Sequence, residues 1–180
     1  MFDWDKIDRE DKSANFKEYA QDGVYTVTVD HVDVHELASG SVAQDFFMTE
    51  DDYKYPRITH WISFNNKEWT AKHQRNLMML LGASKENAQK AVEICESKGE
   101  KKKIIAAYQQ TFDKLLAKMP SVEIEVWKEE GSKYSEADFT DRSVRMNRPE
   151  DGSKNEKKND EITLDIAEPV EISEDELPFN

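Results

Sequence analysis

Between Tyr53 and Arg75 the chain concentrates residues that hold a polyanion. Lys54, Arg57, Lys67, Lys72 and Arg75 stand against one acid, Glu68, for a net +4, with Tyr53, Tyr55, Trp61 and Trp69 interleaved. Cations spaced along a groove track phosphates, and rings between them stack on bases at about 1–3 kcal/mol per base. Every base has a π-face, so such a surface holds a single strand without reading its sequence. Within Arg57 to Phe64, alternation sends Ile58, His60, Ile62 and Phe64 one way and Arg57, Thr59, Trp61 and Ser63 the other. The second face puts a guanidinium and an indole side by side towards solvent. The competing reading makes the rings ordinary core and the charges a solvated face, since aromatic strand residues are mostly structural. Arg142 and Arg145, with Arg148, extend the set from a later segment. The candidate strand-binding residues are therefore Lys54, Tyr55, Arg57, Trp61, Lys67, Trp69, Lys72, Arg75, Arg142 and Arg145.

The elements that must position these residues follow from periodicity. After the turn signal Asp22-Gly23, Tyr25, Val27 and Val29 share one parity, and then Val32 and Val34 take the other. A parity switch inside one strand requires a bulge near Asp30-His31, the device that lets a long strand turn a barrel corner. Val42 to Met48 reads as a weaker second strand and Arg57 to Phe64 as a third. Asn65 to Glu68 has capping-box spacing for a helix running from Trp69 to Leu81 and stopping at Gly82. Ser84 caps a second helix that ends at Gly99. Lys101 to Met119 carries the clearest helical stripe, with Ile104, Ile105, Tyr108, Phe112, Leu115, Leu116 and Met119 at spacings of three and four. Val122, Ile124 and Val126 restore the strand pattern, and Phe139 to Met146 is read as the closing strand. The expected fold is mixed β/α and mainly β. It is a five-stranded barrel like the oligonucleotide-binding (OB) fold, with helices inserted between strands 3 and 4 and a disordered acidic C-terminal tail. Aromatics of the first 21 residues, among them Phe2, Trp4, Phe16 and Tyr19, read as pins for an N-terminal arm.

Charge divides the chain in two. The 180 residues carry −13 overall, and residues 149 to 180 hold eleven acids against Lys154, Lys157 and Lys158, a net of −8. From Asp160 onward there are eight acids and no Lys or Arg, too polar a stretch to offset the entropy of ordering. Residues 1 to 148 are thus read as the binding domain and 149 to 180 as linker and tail. The tail ends in Glu174, Asp175, Glu176, Leu177, Pro178 and Phe179, a run of carboxylates closed by a short apolar hook. An exposed Phe on an extended acidic tether fits a partner's pocket ringed with Arg and Lys. A chain of about 30 residues also reaches about 30 Å, far enough to lay its acids across the +4 window.

This ending resembles the acidic tip of bacterial and phage single-stranded DNA-binding proteins, although there the Phe is usually the last residue and here Asn180 follows. The whole chain resembles a phage-encoded family of OB-fold single-stranded DNA-binding proteins. The resemblance lies in Phe2-Asp3-Trp4, Asp22-Gly23-Val24-Tyr25, Leu77-Met78-Met79-Leu80-Leu81-Gly82, Val122-Glu123-Ile124-Glu125-Val126 and the Asp175-to-Phe179 tip. It implies a host-cytoplasmic, non-enzymatic protein of phage DNA replication or recombination. It also implies partners such as a recombinase, helicase, polymerase or annealing protein, recruited through the tip.

Other chemistries have weaker footing. His31, Asp33 and His35 would share one face of an unbulged strand, but the expected bulge splits them, so neither a metal nor a cofactor is expected. Six glycines scattered singly make no phosphate loop, no spacing asks for a catalytic triad, and the single Cys95 excludes an internal disulfide. No apolar run is long enough to span a bilayer. The rival class is an acidic DNA mimic or adaptor that occupies, inhibits or recruits a DNA-processing enzyme. Only the basic, aromatic window argues against it.

Overall fold

The computed structural model describes residues 17–49, 52–147 and 177–179. Gly23–Glu36 forms one long strand, β1, whose pairing shifts register between Val29 and His31, so the parity switch is a bulge at Asp30. The bulge lets a single strand serve two partners. Its first half pairs antiparallel with β4 (Ser121–Trp127) and its second half with β2 (Val42–Met48). Strand β3 (Ile58–Ile62) continues from β2 and β5 (Glu136–Phe139) from β4, giving the order β3-β2-β1-β4-β5. The end strands β3 and β5 come together, so the sheet curls into an antiparallel, nearly closed five-stranded barrel of the OB type. Three helices lie between β3 and β4: α1 (Lys67–Leu80), α2 (Lys85–Glu96) and α3 (Lys101–Leu116).

Each helix begins where its side chains permit. Asn66, not Asn65, caps α1 by accepting from Trp69 N–H, and Ser84 caps α2 by accepting from Asn87 N–H. Helix α3 packs on β1 with Ile104, Ala107, Tyr108, Phe112 and Leu115 buried, whereas Met119, assigned to the same stripe, lies past the helix end at φ 51° and half exposed. Beyond its bulge β1 has β2 on one edge only. Gln109 of α3 covers the other edge, accepting from Val34 N–H and donating to Val32 C=O, which satisfies backbone groups that an open edge would leave bare. Phe46 of β2 centres the core, its ring edge-on to Phe112 and Phe139 at 5.9 and 5.4 Å.

Two expectations are corrected. The closing strand ends at Phe139 rather than starting there. Residues 141–147 form a turn and an irregular segment folded back over Asp138, whose carboxylate accepts from Phe139, Met146 and Asn147 N–H. A carboxylate at 0% exposure needs such donors, and strand geometry would carry them away from it. The tip does not stand free either. Leu177 and Phe179 are 3% and 8% exposed and belong to the apolar core cluster. The linker and the acids of the tail, Glu174, Asp175 and Glu176 included, lie outside the described residues. No helix among the described residues is long and apolar enough to cross a membrane.

Candidate functional site

Helix α1 is joined to the barrel by polar side chains rather than by grease alone. Gln74 and Gln44 exchange two hydrogen bonds, and Thr70 Oγ1 donates to Ser63 C=O while accepting Ser63 N–H. Beside them His60 of β3 lies 2.7 Å from Asp138 of β5 and 3.0 Å from His73 of α1, all three buried. Asp138 already accepts from three backbone N–H groups, so the donors run one way. His60 Nε2–H donates to Asp138, and His73 Nε2–H donates to His60 Nδ1. Burial, then the neighbouring His60, lowers the His73 pKa to about 4, with Asp138 pulling weakly the other way. His73 is therefore a neutral ring at ordinary pH. Trp69, one turn before it, stacks on that ring at 4.8 Å and 9°.

This chain of contacts fixes an indole at the edge of a cavity of about 370 Å³. Trp69, Lys72 and His73 line it from α1; Arg142, Ser143 and Arg145 line it from the segment after β5. Lys72 and Arg142 are exposed. Arg145 is committed elsewhere: it pairs with Glu125, donates to Asn147 C=O and sits 5.7 Å over the Trp127 ring. It braces the segment rather than offering its charge. Arg75 acts similarly, holding Asn76 Oδ1, while Asn76 Nδ2 donates to Ser143 C=O.

The remaining predicted residues are distributed differently. Arg57 is exposed and lines a second cavity, of about 550 Å³, with Pro56, Thr59, Tyr134 and Asn147. The two cavities have no lining residue in common, and Arg145 of the first donates to the Asn147 carbonyl at the second. Trp61 is not beside Arg57. It pairs across from Ala43 and lines a separate hollow with Gly40, Phe64 and Lys101, whose charge is met by Glu36. Between Arg57 and Trp61 sits Asp45, which takes the Thr59 hydroxyl and lies 3.9 Å from the Arg57 guanidinium. Sequence spacing showed a basic face of β3 but not the acid that its neighbour strand turns towards it. Tyr55 is half-buried, edge-on to Tyr25 at 5.5 Å. Lys54 bridges by its backbone to Tyr19 and places Nζ 5.7 Å over that ring, and Lys67 is exposed at the start of α1.

The bulge precedes His31, so His31, Asp33 and His35 do share the outer face of β1, contrary to the expected split. His31 stacks on Phe47 and His35 approaches Asp33 and Asp45. Among the described residues no group of three or more His, Cys, Asp or Glu is arranged to hold a metal. Sequence reasoning missed Asp138 and His73, whose burial is set by partners distant in sequence that no local spacing marks. No family model, curated protein sequence or solved structure matches the chain.

Proposed function

We propose that this protein binds single-stranded DNA without sequence preference and is not an enzyme. In this reading it serves phage DNA replication or recombination and recruits partner proteins through its acidic C-terminal tip. The observation that carries the reading is the cavity at α1. An indole held flat by His73 lines one cavity with Lys72 and Arg142, and Arg57 lines a second. A base stacks on Trp69, and its flanking phosphates lie along Lys72, Arg142 and Arg57. Within a chain of net −13 this local arrangement has an evident use for a polyanion and none for a decoy of DNA. The phage setting and the tip's partners rest on the sequence resemblance.

Retention on single-stranded DNA cellulose tests the reading cheaply. The wild-type chain stays bound at low salt and elutes as salt rises, while Trp69→Ala with Arg142→Ala elutes early. Flow-through of the wild type at low salt would leave the acidic mimic as the better account.

A further inference from the structure

Exposed apolar surface gathered in one place marks an interaction site where a lone exposed ring does not, and Tyr19 and Tyr134, 67% and 78% exposed, line the same cavity. Neither ring hangs on loose chain. The backbone around Tyr19 is bonded to the segment before β3, Ala20 N–H donating to Lys54 C=O and Lys54 N–H to Glu18 C=O. Tyr134 sits on the β4–β5 turn, where Ser132 Oγ both accepts Tyr134 N–H and donates to Tyr134 C=O, and Gly131 takes the left-handed φ of 79° that lets the turn close. The two rings are presented by fixed backbone, Tyr19 with Lys54 Nζ over one face.

Both line one cavity of about 450 Å³, with Pro56, Asp22, Lys128 and Lys133. Two lysines against one acid leave it weakly cationic, and Lys54 adds a charge 5.7 Å over the Tyr19 ring. Its size lies within the range of about 300–1,000 Å³ usual for small-ligand sites. Pro56, Tyr134 and Ser135 also line the Arg57 cavity, so the surface that carries Arg57 continues to these tyrosines.

We propose that the Tyr19–Tyr134 cavity is a second stacking subsite, taking an unpaired base further along the strand whose first base rests on Trp69, with a phosphate between Lys128 and Lys133. The inference rests on the single-strand reading of the Trp69 groove and sets the direction in which the strand leaves it. It also turns Tyr19 from a pin of the arm into one side of a clamp, the β4–β5 turn being the other.

The experiment measures affinity for oligothymidylates of about 4 and about 16 nucleotides, the span of site sizes for one such barrel. Variants are Tyr19→Ala, Tyr134→Ala, Tyr134→Phe and Trp69→Ala. Each tyrosine-to-alanine change weakens the long oligomer about tenfold and leaves the short one unchanged. Tyr134→Phe restores wild-type affinity, because stacking needs the ring and not the hydroxyl. Trp69→Ala weakens both lengths. A long oligomer carrying 5-iodouracil at one end crosslinks on irradiation to Tyr19 or Tyr134. Unmoved long-oligomer affinity in both alanine variants, with wild type binding both lengths, overturns the subsite and leaves the groove standing. Equal losses at both lengths also overturn it, by merging the tyrosines with the first site. A wild type that binds neither length overturns the proposed function and this inference with it.

Discussion

At the scale of residues, the account turns on which rings and charges are free. Trp69 is fixed by His73 and open to a cavity, whereas Trp61 shares its hollow with a lysine already paired to Glu36. Trp69→Ala should therefore lower single-strand affinity about tenfold or more, a stacked base being worth about 1–3 kcal/mol, and Trp61→Ala should lower it much less. Equal effects in a fluorescence or filter-binding titration would contradict this ranking. His73 gives a second prediction, on stability. Its pKa falls from 6.5 in the unfolded chain to about 4 in the fold, so between those values the unfolded state binds the extra proton. The His73 contribution is complete above pH 6.5 and is lost as pH falls towards 4, at most about 3 kcal/mol. Urea midpoints should drop more steeply with acidification in the wild type than in His73→Gln; parallel curves would contradict the burial argument.

At the scale of elements, the sequence was most legible where one periodicity rules a whole segment. The β1 bulge, β2, β4 and the α2 cap follow from parity and capping chemistry that depend on near neighbours alone. The closing strand was not legible, because Asp138 decides it. A carboxylate buried between β3, α1 and the segment after β5 collects backbone donors from Met146 and Asn147, and nothing in the local pattern of 139–146 reveals that demand. Asp45 escaped for the same reason, since its place facing Arg57 depends on the β2–β3 register. Removing the Asp138 acceptor should free this segment. Asp138→Ala is expected to cost about 3 kcal/mol or more, several buried donors losing their partner at about 1–3 kcal/mol each. Hydrogen exchange at the Met146 and Asn147 amides should rise well beyond the global change. Amides as protected as the rest of the barrel would show that Asp138 does not hold the segment.

At the scale of the whole molecule, a barrel with a local cationic surface carries a C-terminal segment that holds −8 of the net −13 charge, and its apolar hook is tucked in rather than offered. Burial of Leu177 and Phe179 means that a partner reading the tip must first draw it out. A tethered polyanion competing for the proposed groove would do so at a local concentration in the millimolar range. Truncation after Asn159 should tighten single-strand binding at low salt, and an unchanged affinity would show that the tail does not reach the groove. The central claim is tested most directly by Trp fluorescence titration with poly(dT) and with duplex DNA over a series of salt concentrations. The account predicts quenching by the single strand, far weaker binding of duplex, and a log–log salt slope of about −2 to −4, as three to five phosphate contacts give. Absence of binding to either DNA, with the tail present and with it removed, would contradict it.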